Sequence, residues 1–285
     1  MIREETLCEA SQSNPQDTEI EARQTVAAKA ILSPMRPFLV WCFVPSFLLA
    51  LADVARAGVP APLAVWPFDG DLADAGGNGV VLMNPYKKLD YGPGVAGQAI
   101  RFTWEKRDYL RTQKPEQLPM EGDFTVSAWF NAVEGPQRNS IQGLVGRWDY
   151  NGKAQFALAL AGSSAVAYLS TDGSKLHELK HPSAVDFETW YHVALVHRAD
   201  ARNVTLYLTA KEGKSLDSGV SKTFDAPIHS ELKTPFTIGF NQYGGRFLNG
   251  ALDEVAVWDR ALSPQELGEV FSRGCKGQPL LGGKP

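Results

Sequence analysis

Of all the side chains in this sequence, His177, Glu178 and His181 have the spacing most suggestive of chemistry, because they spell H-E-x-x-H. On a helix that spacing puts two imidazoles on one face to share a zinc ion, with the glutamate acting as base. The context predicts a strand instead. The run follows an Asp172-Gly173 turn and meets Pro182 directly, which drives His181 out of helical geometry. In a strand, positions four apart lie roughly 13 Å apart, too far for two ligands that must each reach zinc at about 2 Å. The motif is therefore read as a decoy.

Other catalytic arrangements are weaker. Asp186 and Glu188 are two residues apart, but they fall in the turn before Trp190 and are read as solvated. There is no G-x-S-x-G elbow, no phosphate-cradling loop and no pair of cysteines placed for nucleophilic or redox work. No catalytic residue is assigned, and the chain is read as a non-enzyme. Binding chemistry is better represented. The stretches Arg147-Trp148-Asp149-Tyr150 and Asn241-Gln242-Tyr243-Gly244-Gly245-Arg246 set aromatic rings beside hydrogen-bonding groups. Trp148, Asp149, Tyr150, Tyr243 and Arg246 are accordingly the candidate ligand-binding residues. Trp66, Trp129, Trp190 and Trp258 sit in apolar strand patterns and are assigned to the core.

The elements that must position these loops are read from composition and pattern. The chain has 285 residues and a formal net charge of -4, so it lacks the basic footprint of a nucleic-acid binder. Residues 1–34 are polar and without apolar period, and are read as disordered or untranslated. Met35-Arg36-Pro37 then opens an apolar run from Phe38 to Ala52 that ends on Ala55-Arg56-Ala57. A basic start, a core of this length and an A-x-A ending define a signal peptide over 35–57, which predicts a secreted, periplasmic or cell-surface protein. The alternative is a membrane anchor formed by the uncleaved segment 38–52. Of the 3 cysteines only Cys275 lies beyond the leader, so no intrachain disulfide is available and the fold must rest on its own core.

From residue 62 onward, short strand patterns recur with turn residues between them, as in an all-β sandwich. The clearest are 63–68, 99–102, 124–130, 141–147, 155–161, 165–170, 175–180, 190–197, 203–209, 236–240 and 252–258. In the last, strict alternation places Leu252, Glu254, Ala256 and Trp258 on one face and Asp253, Val255 and Val257 on the other. At Ser263 the period changes. Ser263 suits an N-cap, Pro264 the first helical position, Glu266 the reciprocal carboxylate of a capping box and Gly274 the stop. One domain over 62–274 is expected, with residues 275–285 a flexible tail that carries an exposed Cys275.

Several of these runs resemble the laminin G-like jelly-roll domains of the concanavalin A-like lectin/glucanase superfamily. They are Trp66-Pro67-Phe68-Asp69-Gly70, Gly97-Gln98-Ala99-Ile100-Arg101-Phe102, Phe124 to Phe130, Trp190 to Val196, and the closing run Gly250 to Leu267. The resemblance implies a two-sheet antiparallel jelly-roll sandwich with a short C-terminal helix. It also implies a structural Ca²⁺ near the join of first and last strands, for which Asp69, Asp71, Asp74 and Asn78 with Asp253 are the oxygen donors available. Glycosidases of the superfamily use an E-x-D-x-E run, and none occurs here. These features together imply a secreted non-catalytic binding domain with a glycan or an extracellular protein as partner. Carbohydrate binding is the first reading, an adhesion or cell-envelope scaffold the second, and a glycosidase a distant third.

Overall fold

The computed structural model describes residues 58–285 except 86–87, 136–139, 150–152, 231–232, 242–245 and 283–285. The leader assigned to 1–57, and with it the signal segment, lies outside the described residues.

The strands are β1 (Ala64–Trp66), β2 (Leu82–Met83), β3 (Asp90–Pro93), β4 (Gln98–Phe102), β5 (Leu110–Thr112), β6 (Phe124–Ala132), β7 (Ile141–Asp149), β8 (Lys153–Ala161) and β9 (Ser164–Leu169). They continue with β10 (His177–Ala184), β11 (Trp190–Arg198), β12 (Asn203–Ala210), β13 (Val220–Thr223), β14 (Phe236–Ile238), β15 (Phe240–Asn241), β16 (Arg246–Phe247) and β17 (Gly250–Trp258), and helix α1 (Pro264–Cys275) closes the chain. Two antiparallel sheets result. One has the order β13-β12-β11-β6-β17-β4-β3 with β1 also on β17, the other β10-β9-β8-β7-β14-β5-β2, and β15 and β16 form a separate ribbon. Every long sequence-predicted strand is present. The unforeseen ones (β2, β3, β5, β13 and β16) are two to four residues long, too short to show an alternating period, and the predicted run 236–240 is broken at Gly239, φ +76°, into β14 and β15.

The core lies between the sheets. Val126, Ala128 and Phe130 of β6 and Val193 and Leu195 of β11 meet Phe156, Leu158 and Leu160 of β8 and Phe236 of β14, all buried. The other face of the eight-stranded sheet is not left to water. Leu262, Leu267 and Val270 cover Val65, Ala194, Val196, Ala256 and Trp258. Phe271 stacks on Trp129 with ring centroids 5.6 Å apart. This second apolar layer explains why β6, β11 and β17 are apolar on both faces.

The helix starts as its sequence dictates. Ser263 Oγ accepts from the Glu266 amide at 3.2 Å, and Glu266 Oε2 accepts from the Ser263 amide at 2.7 Å. Its end differs from expectation. Gly274 is helical and buried because its missing Cβ lets the backbone touch the Trp129 indole. The left-handed stop is Gly277, with φ +67°, whose amide donates to Gly274 O at 2.9 Å while Gln278 N reaches Arg273 O. Cys275 is likewise not on a tail. It is half-buried in the last turn, with Sγ donating to Lys211 O at 3.1 Å. Leu280 beyond it is buried against the second apolar layer.

Strict alternation also fails in β17. Asp253 pairs with Trp129 and Ala256 with Ser127, so three steps on β17 match two on β6. The extra residue is Glu254, whose φ is +48°, a bulge conformation that costs a non-glycine residue of order 1 kcal/mol or more. Past the bulge the parity flips. Leu252, Val255 and Val257 face the core, while Ala256 and Trp258 face the helix.

Candidate functional site

The strands that form the helix-covered layer continue past the helix, and there they leave a cleft. In register across the eight-stranded sheet lie Asp90 of β3, Arg101 of β4, Ala251 of β17, Asn131 of β6 and Trp190 of β11. Two residues along the same strands, Trp129 and His192 lie under Phe271 of the helix. The cleft therefore opens where α1 ends. Its volume is about 370 Å³, and Arg101, Asn131, Val133, Trp190, Asn249 and Ala251 are among its walls.

Glycines near it allow close approaches. A Cβ on Gly250 would strike the backbone at Asn131 and Ala132, and one on Gly92 would strike the Arg101 guanidinium. Buried Gln142 props the rim from behind, its amide donating to Val133 O at 3.0 Å and its oxygen accepting from Asn249 N at 2.8 Å. Trp190 is half-buried, with its inner edge against the Trp129, Phe271 and Val95 group. An indole face, a guanidinium and amide groups can stack on and hydrogen-bond a polyhydroxylated ligand. Among the described residues no carboxylate lines the cleft, so they supply no acid and base pair for glycosidic hydrolysis.

The residues singled out from sequence are placed differently. Trp148, the last residue but one of β7, has only 7% of its surface exposed and packs among Ala154, Ala157, Val166 and Tyr168. The small outward-facing alanines of β8 leave the room its ring fills, so it offers no open face for stacking. Asp149 is half-buried at the end of the same strand, and Arg246 sits half-buried opposite Asn241 in the β15–β16 ribbon. That ribbon lies against β7 at Gly143, where a Cβ would strike the Asn241 backbone. Tyr150 and Tyr243 lie outside the described residues. Trp190, assigned to the core from sequence, and Asn131, which was not singled out, line the cleft instead. The signal was available, since Tyr191, Val193 and Leu195 claim the core face and so turn Trp190 outward.

The aspartates proposed for calcium do not converge. Among the described residues, no three His, Cys, Asp or Glu side chains come together in a way that could hold a metal ion. Their oxygens are instead engaged by backbone amides. Asp74 accepts from Val65, Gly76 and Val80, Asp69 from Gln98, and Asp71 from Ala73. Asn78 donates to Leu63 O at 2.9 Å. Asp253, fully buried, accepts from Val95 at 2.7 Å, Ala96 at 3.1 Å and Glu254 at 2.8 Å. A buried carboxyl group whose two oxygens already take three N–H donors latches loops. These residues do not fit a calcium site.

Glu254 is the second latch, its Oε2 accepting from Leu280 N at 2.8 Å. Burial pushes its carboxyl up to about 7, against the pull of the Leu280 amide, and pushes that of Asp253 up to about 8. The unfolded chain binds fewer protons than the folded one above pH ~4.5, so this group's contribution is complete below that pH and is lost as pH rises through ~7. A Glu254→Gln variant, permanently neutral, is expected to match wild type near pH 4 and to exceed it by on the order of 1–3 kcal/mol at pH 8. Urea unfolding of both proteins across that range measures the difference, and histidines common to both cancel. A constant difference at all pH values would show that Glu254 is ionised in the fold.

H-E-x-x-H lies in β10 as a strand. His177 meets the Phe224 ring edge-on, while His181 is buried with Nε2 2.7 Å from Asp217. The Ser183 amide donates to His181 Nδ1 at 3.2 Å, so Nε2 carries the proton toward Asp217. A second pairing, Ser127 Oγ to His192 Nε2 at 3.2 Å, has the elements of a nucleophile and base. Both residues are fully buried beneath α1, and burial pushes the His192 imidazole down to about 3. No substrate reaches it, and it serves as packing.

With the fold and cleft in place, the class is defined. The chain belongs to the laminin G-like family of the concanavalin A-like lectin/glucanases superfamily, whose model matches residues 105–268. No curated protein matches it in sequence. Among solved structures it is similar to the binding domain of Paraclostridial Mosquitocidal Protein 1, with 16% identity, TM-score 0.57, and 73% of this chain and 51% of that chain covered. It is also similar to the binding domain of Botulinum neurotoxin DC in complex with rat synaptotagmin II, at 10% identity and TM-score 0.57 over 75% of this chain and 52% of that one. The same domain in complex with SialylT gives 9% identity and TM-score 0.56 over 75% and 52%. At such identities the likeness is one of fold, and the chain spans about half the length of these structures.

Proposed function

We propose that this domain is a non-catalytic binding module that takes a glycan in the cleft formed by Trp190, Asn131, Asn249 and Arg101, on a protein exported by the segment at 35–57. The observation that carries the reading is the cleft itself: a half-buried indole beside polar groups, over a floor kept low by Gly250 and Ala251. Superfamily membership supports a binding role, as do neighbours of the same fold that are themselves binding domains. Export is read from the leader sequence alone, and calcium is given no part.

A glycan array probed with the purified domain tests this, with titration of any hit against Trp190→Ala as the second step. Removal of a central aromatic platform is expected to weaken binding by ~30-fold or more. Unchanged thermal unfolding would show that the loss is local. A blank array, or a Trp190→Ala variant that binds as wild type does, would overturn the proposal. Protein adhesion is the second reading, favoured by Val133, a large apolar side chain 40% exposed at the cleft rim. One neighbour of this fold was solved with a protein, rat synaptotagmin II.

A further inference from the structure

We infer that Gln142 is a positioning residue of the cleft: its carboxamide takes the place of a ladder hydrogen bond where β6 ends and β17 begins, and so sets how far apart Val133 and Asn249 stand. The inference rests on the binding role given to the cleft above. Gly250 pairs with Ala132 and Ala251 with Asn131, so the next pair outward is Asn249 with Val133. Val133 N donates to Asn249 O at 2.8 Å, which marks this as a pair that in a regular antiparallel ladder would exchange a second bond, from Asn249 N to Val133 O. That second bond is replaced. Asn249 N donates to Gln142 Oε1 at 2.8 Å, and Val133 O accepts from Gln142 Nε2 at 3.0 Å.

The inserted group belongs to the opposite sheet. Gln142 lies on β7 across from Leu160 of β8, and Leu160 is part of the core, so Gln142 also points between the sheets and is 1% exposed. A carboxamide offers a donor on one atom and an acceptor on the other, and here each takes the backbone group that the facing strand would otherwise have satisfied. The link from Asn249 N to Val133 O is thereby lengthened by the width of the carboxamide, while the direct bond in the other half of the pair holds. The two strand ends splay. Val133 and Asn249 both wall the cleft, with Asn131, Gly250 and Ala251 of the same two strands beside them. The Asn249 side chain is drawn to the far side of this opening, its amide donating to Glu134 O at 3.4 Å. The cleft is therefore open at this end because a polar side chain is wedged into the ladder, and the wedge leaves no buried backbone group unsatisfied.

Two substitutions in the whole domain separate this role from plain packing. Gln142→Ala removes the wedge and frees Asn249 N and Val133 O to bond each other, so the pair zips and the cleft narrows. Gln142→Leu keeps the bulk but strips both bonds, which strands two buried backbone groups. Gln142→Ala is expected to melt within about 3 °C of wild type and Gln142→Leu about 5 °C or more below it, the reverse of the order that loss of buried volume gives. By NMR, a scalar coupling across a hydrogen bond from Asn249 N to the Val133 carbonyl should appear in Gln142→Ala and be absent from wild type. The glycan that the array returns for wild type should bind Gln142→Ala ~10-fold or more weakly, although the fold is intact. A Gln142→Leu variant more stable than Gln142→Ala, or a Gln142→Ala variant without the new coupling, overturns the wedge. Wild-type affinity in a Gln142→Ala variant that has zipped overturns the positioning role. A blank array removes the glycan reading alone, because the melting order and the coupling need no ligand and still decide whether Gln142 sets the opening.

Discussion

Asp253→Ala is expected to destabilise the domain by about 3–5 kcal/mol, a large share of what a domain of this size possesses. The carboxylate is fully buried and holds the amides of Val95 and Ala96 as well as that of Glu254. Val95 and Ala96 form the turn between β3 and β4, and β17 pairs with β4, so one side chain ties the last strand to the first hairpin. Alanine strands the buried donors, each at roughly 1–3 kcal/mol. Gly94 cannot relieve this, since its own missing Cβ marks the space that the carboxylate oxygen fills. Asp253→Asn keeps one carbonyl acceptor and should lose less. The midpoint of urea unfolding, taken with Ca²⁺ and with EDTA, separates a latch from a metal ligand. If EDTA lowers wild type to the level of Asp253→Ala, the residue is a ligand and the latch is wrong.

Trp129→Ala is expected to cost about 3–5 kcal/mol and to release α1. Trp129 is 1% exposed, yet it belongs to the helix side of its sheet, where it meets Phe271 and His192 with centroids 5.6 Å and 5.2 Å away. Its removal leaves a cavity bounded by α1, whose own contact at this point includes the backbone of Gly274. The helix can move while the sandwich core beneath stays packed. The signature is therefore specific: hydrogen exchange should quicken in 264–275 far more than in β8 or β9, and Cys275 should react faster with a thiol reagent. Uniform loss of protection over the whole domain would mean that α1 is an inseparable part of the core. The same experiment bears on binding, because Trp190 leans on this group at the edge of the cleft.

The run from Gly250 to Leu267, which holds Asp253, was legible in part. The capping box of Ser263 and Glu266 formed as the sequence requires, because both partners are three residues apart and their geometry is local. The faces of Leu252 to Trp258 could not be read in the same way. Alternation assumes one residue per step, and the left-handed Glu254 inserts an extra one. Its side chain finds Leu280, 26 residues away, so the compensation for the strain is tertiary. The acidity of Asp253 invited a cation by composition, whereas its occupied lone pairs are visible only once the β3–β4 turn is folded against it.

The candidate loops show the same division. An aromatic beside polar groups in sequence is a statement about composition, and Trp148 is buried because the alanines of a neighbouring strand make room for it. Trp190 lies at a strand start and reads as core by hydropathy, but α1 ends short of it and leaves one side open. By itself the sequence determined the class of fold, the long strands and the helix N-cap, since periodicity and local hydrogen bonding act over a few residues. Which outward faces the helix covers and where its cover ends were decided by the tertiary structure, because each depends on the order in which distant strands lie side by side.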